Sequence, residues 1–487
     1  MNKLLELIFP VMTWGPKYSL DRFRSDLVAG TVVVFVTVPQ VIAYAFLAGM
    51  PAEAGLYAAM MSLVGYAIFG SSRALAVGPT AIIAMMTLEA ASSYAIPGTV
   101  DYTETVVQLC VVTGIVLIVL RVVNFGSVIS FLSHAVVTGF ITAAAILIIS
   151  NQLPLMIGLA SSPDTSIVGV YRYLFEETSQ FNQVVFIVSL VAVAILVFCK
   201  TYLGSLLKRT GLADEVIDSL VKSAPMYAVV IGVVSVRLFS LDTTFGVPVV
   251  GNIPTVLPDI NIVLMSLERF QALLPSSLLI SMVIFMESTS IGTAIASKAR
   301  EKINPNQELV GLGVANLGSS LVGGFPVAGS FARSIVNFSS GSVSPVASLV
   351  TAFLVMMTIL LFATLFFHLP KGVLSAIIVI SAWQLIDFQA VRKIFSFNGT
   401  DAVTFVFTFL AVLSLGVESG VLIGIAISFV LLIRSSSKPR IAVVGRVGDS
   451  EHFRNVERYD VRTSPKLLAL RVDESLYFVN TRFIETF

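Results

Sequence analysis

Charge is scarce in this sequence. Only 12% of the 487 residues are Asp, Glu, Lys or Arg, while 56% are hydrophobic. Soluble domains carry about twice that share of charge. The formal net charge is +1, so no bulk field points to nucleic acid. Cysteine occurs twice, at Cys110 and Cys199, both inside apolar runs, which argues against a disulfide framework and a metal site. The three histidines, His134, His368 and His452, do not cluster into a metal site or a catalytic base. There is no G-x-x-x-x-G-K-[ST], so the chain does not hydrolyse ATP, and no G-x-S-x-G nucleophile elbow. These absences exclude the common enzyme classes and call for no cofactor.

What is abundant is unbroken apolar sequence. A run of about 20 apolar residues matches the bilayer core, and only helices or closed barrels satisfy the backbone there. The strict alternation of barrel strands is missing. The expected fold is therefore an all-α polytopic membrane protein. Apolar segments lie near 26–48, 55–70, 77–95, 104–123, 128–156, 182–201 and 223–240, and again near 271–296, 308–324, 329–340, 345–368, 371–388, 400–417 and 419–435. With the N-terminus in the cytoplasm, Arg22, Arg24, Arg73, Lys200, Lys208, Arg209, Lys298, Arg300, Arg392, Lys393, Arg434 and Lys438 all fall inside, and few basic residues fall outside, among them Lys371. The segments predict fourteen transmembrane spans, and the asymmetry supports an even count with both termini cytoplasmic. The first helix is expected to act as the targeting signal, since the start lacks an A-x-A type cleavage site.

The third and tenth segments are interrupted by Gly and Pro, and stand third in each set of seven. Interrupted segments at matching positions point to inverted repeats, here about 20–241 and 268–436, with a midplane site. The transport domain is expected over 1–436, a linker over 437–463, and a soluble segment over 464–487 in which LLALRV and SLYFVN form two strands.

Glu287 sits deep in an apolar run, where an ionisable group marks an ion or proton path. It is a candidate H⁺ carrier or, with the hydroxyls of Ser288 and Ser290, a Na⁺ ligand. Ser330, Arg333, Ser334 and Asn337 are spaced i, i+3, i+4 and i+7, one polar stripe if helical. Arg333 needs a negative partner, either an anion or Glu287. In the first segment Pro39 breaks the backbone ladder and Gln40 and Tyr44 share a face.

Residues 39–81, PQVIAYAFLAGMPAEAGLYAAMMSLVGYAIFGSSRALAVGPTA, closely resemble the signature of the SulP anion transporters, the family that includes animal anion exchangers. The likeness continues through 285–337, and 464–485 resembles the opening of a cytoplasmic α/β STAS domain. The resemblance implies two intertwined seven-helix repeats divided into core and gate domains, elevator-type transport, and a homodimer in membrane lipid. It also implies an anion held by Gln40, Tyr44, Thr80, Ala81, Ser330, Phe331, Ala332 and Arg333, with H⁺ or Na⁺ coupling at Glu287. Many relatives carry Ser or Thr at Ala332, so one side-chain donor differs here. The expected activity is secondary transport of a small anion, sulfate first, in a bacterial inner membrane. Bicarbonate or dicarboxylate symport, and anion exchange or channel activity, are the alternatives.

Overall fold

The computed structural model describes residues 10–126, 133–397, 399–437, 439–448, 450–476 and 478–487. The first residues of the segment near 128–156, and Lys438, lie outside the described residues. Each apolar segment contains a helix. The first seven are α1 (Leu20–Leu47), α2 (Ala52–Phe69), α3 (Ala81–Ser92), α4 (Val100–Val122), α5 (His134–Met156), α6 (Gln183–Phe198) and α7 (Ala224–Phe239). The second seven are α8 (Leu267–Ala299), α9 (Pro305–Leu321), α10 (Phe331–Ser339), α11 (Val346–Met357), α12 (Lys371–Trp383), α13 (Gly399–Leu415) and α14 (Val417–Ser436).

Fourteen helices are not fourteen full crossings. Among the described residues, eight helices are long and apolar enough to span a membrane, or nine if α7 is joined to the short helix before it across a 53° bend. The half-helices explain part of the shortfall. At about 1.5 Å per residue, α3 with 12 residues and α10 with 9 reach only about 18 and about 14 Å, against a hydrocarbon core of about 30 Å. The span that begins with α6, Gln183–Thr210, is largely uncovered by the protein itself: only 28% of its apolar window is buried.

Helix starts carry the chemistry that satisfies orphan backbone groups. Ser266 accepts the Arg269 N–H at 3.1 Å to open α8, and Asn304 accepts the N–H groups of Asn306 and Gln307 ahead of α9, where Pro305 fills the first helical position. α9 packs against both α2 and α4. Its contact with α4 is backbone to backbone: a Cβ on Gly114 would lie 3.0 Å from the Gly313 carbonyl, and one on Gly313 would lie 3.1 Å from that of Gly114. Small residues permit such close approach in membrane bundles.

The tail departs from expectation. LLALRV does contribute a strand, Leu470–Val472; among the described residues of SLYFVN none is in a strand, and the Asn480 amide donates to the Ser475 carbonyl at 2.9 Å. Two strands come instead from the stretch expected to be linker. Ile441–Arg446 pairs antiparallel with Phe453–Asn455 on one edge and with Leu470–Val472 on the other.

Candidate functional site

Both interrupted segments break in the same way. Before α3, Val77–Gly78 forms a two-residue strand, β1; before α10, Ala328–Gly329 forms another, β2. They pair antiparallel, Val77 opposite Gly329 and Gly78 opposite Ala328. This ribbon satisfies backbone groups that lipid would leave bare, and it fixes the starts of α3 and α10 beside each other. The first residues before each helix, Thr80 and Ser330, are extended and make no side-chain cap. The opening N–H groups of two helices, with the positive ends of their dipoles, are therefore directed at one locality without a side chain to quench them.

Arg333 fills that locality. It is 1% exposed, so it does not extend to the protein surface. One guanidinium nitrogen, Nη2, donates to the Pro79 carbonyl at 2.6 Å; Nε and Nη1 are buried without a partner. No carboxylate lies within ion-pair distance of Arg333 among the described residues, although Glu287 and Tyr44 are close enough to interact with it electrostatically. Gly78 makes the arrangement possible, because a Cβ there would stand 2.9 Å from Arg333 Nη1.

The polar stripe of α10 does two jobs. Ser334 Oγ accepts the Ala76 N–H at 2.9 Å and the Asn337 amide donates to the Ala74 carbonyl at 3.1 Å, so these two residues staple the approach to α3. Ser330 and Arg333 are left for the site. On α8, Ser288 Oγ accepts the Gly329 N–H at 2.8 Å and holds β2, while Ser290 is exposed. Glu287 is half-buried, with Oε2 unpartnered, and Thr289 Oγ1 is unpartnered as well. From α1, Gln40 and Tyr44 are buried at 3% and 5% exposed. The Gln40 amide donates to Ser381 Oγ on α12 at 3.3 Å, leaving its Oε1 unpartnered. Thr80, Ala81 and Ser330 are buried, Ala332 is half-buried, and Phe331 is 46% exposed at the mouth of α10. Buried polar atoms are normally satisfied. Here unpaired atoms of Gln40, Thr80, Glu287, Thr289 and Arg333 belong to the segments that meet at the ribbon.

Residues 23–408 match the model of the sulfate permease family. The chain belongs to that family. It is a family of transporters and not of enzymes, and the protein is a multi-pass integral membrane protein. Probable sulfate transporter 4.2 of Arabidopsis thaliana is 32% identical over 483 residues, 99% of this chain and 70% of that protein. High affinity sulfate transporter 2 of Stylosanthes hamata is 30% identical over 488 residues, 99% of this chain and 72% of that one. In fold, the overall structure of SLC26A9 superposes with a TM-score of 0.90 at 22% identity, over all of this chain and 77% of that one. The transmembrane domain of the cyanobacterium bicarbonate transporter BicA superposes with a TM-score of 0.69 at 21% identity, over 84% of this chain and 98% of that one.

In this member of the sulfate permease family, several supporting residues escape a reading of the sequence. Asn316, mid-way along α9, donates to the Val327 carbonyl at 3.0 Å and accepts the Val327 N–H at 2.9 Å, clamping the chain just before β2. Ser62 on α2 donates to the Val77 carbonyl at 3.2 Å. Glu308 is wholly buried and accepts from Tyr66 and from both the N–H and hydroxyl of Ser71, which anchors the loop leading to β1. An amide at position 316 inside an apolar run was the available signal for Asn316; for Ser62 and Ser381 there was none.

Proposed function

We propose that this protein is a secondary carrier of small anions, with sulfate the first substrate to test. The anion sits between the starts of α3 and α10, on the free N–H groups of Arg333, the opening amides of both half-helices, and the hydroxyls of Thr80 and Ser330. Gln40 and Tyr44 close the site from α1. The observation that carries this reading is the Arg333 guanidinium, buried with two nitrogens unpartnered beside two uncapped helix starts. A fixed cation with no carboxylate on it, in a low-dielectric setting, favours an anion strongly. The sulfate transporters among its relatives agree in substrate class.

Glu287 couples transport to H⁺ or Na⁺ in this proposal. Its unpartnered oxygen lies near Arg333, so proton or Na⁺ loading offsets the charge of an entering anion. The site travels as part of an elevator-type core, α1 to α4 with α8 to α11, against a gate of the other helices. Fourteen membrane segments, two of them half-helices, place both ends in the cytoplasm, and the protein works as a homodimer.

The test is uptake of labelled sulfate into proteoliposomes, with bicarbonate and a dicarboxylate as competitors and with H⁺ and Na⁺ gradients imposed separately. Arg333→Gln is expected to abolish saturable uptake. Unchanged saturable uptake in that variant would sink the placement of the anion. Currents that persist without gradient coupling would favour a channel.

A further inference from the structure

A second chamber, with polar groups set in a largely apolar wall, lies between α1, α5 and α12, toward the C-terminal end of α1. Its volume is about 110 Å³ and its lining includes Ala43 and Phe46 of α1, Gln152 of α5, and Lys371 and Ser375 of α12. At about 30 Å³ per water, it holds one small oxyanion or a few waters. Ala43 is the neighbour of Tyr44. Ser375 stands six residues before Ser381, the partner of Gln40, which is about 9 Å along the helix. The chamber therefore opens one step away from the proposed anion position.

Its chemistry is cationic and hydroxylic. The Lys371 ammonium lies 5.2 Å from the centre of the Phe46 ring, a cation–π contact that orients the charge without neutralising it. No carboxylate pairs with it among the described residues. Asp242, in the short helix Leu241–Thr244, is engaged by His368 at 3.3 Å; Glu89, which opens into the neighbouring cavity, accepts the Val417 N–H at 3.0 Å. The position of Lys371 is fixed by its backbone, which donates to the Pro248 carbonyl at 2.9 Å. Two further groups face the same space. Gln152 is 3% exposed and Ser375 1% exposed, and both line the chamber. Neither is among the fully enclosed polar atoms left without a partner, so their amide and hydroxyl are open to whatever fills the chamber. The start of α12, with its positive dipole end, faces the same space.

We propose that this chamber is a second anion site, a staging post that takes a small oxyanion from the external side before it reaches the half-helices. Lys371 supplies charge, and the Gln152 amide and Ser375 hydroxyl supply directed hydrogen bonds. That it serves transport rests on the function proposed above; that it binds an anion does not. The two are separable by experiment. In intact cells, Ser161→Cys, an exposed position on the chamber wall, is labelled with a membrane-impermeant maleimide while sulfate is titrated outside. Cys110 and Cys199 are buried, and the wild type serves as the blank. Sulfate is expected to slow labelling. The concentration for half-protection should rise roughly tenfold with Lys371→Gln, as for one lost charge-assisted hydrogen bond, and return toward the original value with Lys371→Arg. Protection should persist with Arg333→Gln, which removes the other site. No labelling, no protection, protection indifferent to Lys371→Gln, or protection that vanishes with Arg333→Gln would each overturn the proposal. Protection that survives in a protein carrying no sulfate would leave this site standing and refute the transport reading instead.

Discussion

Replacing Gly78 by alanine tests the geometry of the site without touching any charged residue. The added Cβ would stand 2.9 Å from Nη1 and 3.3 Å from Nη2 of Arg333, against ordinary contacts of about 3.5 Å or more. The backbone at this position is locked in the β1–β2 ribbon, so the guanidinium must yield. A displacement of about 0.5 Å would take the 2.6 Å bond to the Pro79 carbonyl to at most about 3.1 Å, still a hydrogen bond, so the loss falls on the free nitrogens, which turn away from the helix starts. A hydrogen bond to a charged group is worth about 1.5–3 kcal/mol, which converts to a roughly 10- to 150-fold rise in KM for the anion. The assay is concentration-dependent uptake of labelled sulfate by proteoliposomes, with thermal stability in detergent measured in parallel. Gly399→Ala is the control, because a Cβ there meets nothing within 4 Å. An unchanged KM in a Gly78→Ala protein that folds would refute the claim that this glycine sets the position of Arg333.

Other outcomes follow from the same packing. Asn316→Leu strands the N–H and C=O of Val327, at about 1–3 kcal/mol per buried unsatisfied group; thermal unfolding should show a clear drop, and an unshifted melting curve would contradict the clamp. Gly55→Ala puts a Cβ 2.1 Å from the Val41 carbonyl, where two backbones already touch, so α1 and α2 must separate and the yield of folded protein in detergent should collapse. Glu287→Gln is expected to leave anion exchange intact while removing stimulation by an imposed H⁺ or Na⁺ gradient; gradient-driven uptake equal to the wild type's would end the coupling proposal. Ser381→Ala removes the partner of the Gln40 amide and should raise KM about tenfold or less with little loss of stability, read by the same uptake assay.

The long helices were legible because composition alone dictates them: α1, α4, α5, α6 and α8 are apolar over a bilayer's depth. The half-helices were legible for another reason, since Gly78–Pro79 and the Gly-Pro-rich stretch before α10 interrupt otherwise apolar sequence at matching positions. The meeting of β1 with β2 completes that inference in space. Partners were harder to see. Ser334 and Asn337 stand out as polar, yet that they grip Ala76 and Ala74 depends on residues more than 250 positions away. Ser288 was expected near a cation, and its hold on Gly329 could not be read from its own neighbours in sequence. Glu308, at a helix start, looks like an ordinary surface charge until Tyr66 and Ser71 close over it. The tail failed locally: Ile441–Arg446 alternates too weakly to be distinguished from a linker, and only its two neighbours make it the central strand.

The ribbon of four residues has a consequence for how the protein is made. During synthesis, Val77 and Gly78 enter the membrane long before Ala328 and Gly329 exist. Until the later pair arrives, the earlier one has no ladder partner, and bare peptide groups in hydrocarbon cost several kcal/mol each. The unfinished chain must shelter that gap in water or against its insertion machinery. A cut anywhere between the two strands, with both fragments produced together, would show whether the halves can still find each other once the order of their arrival is lost.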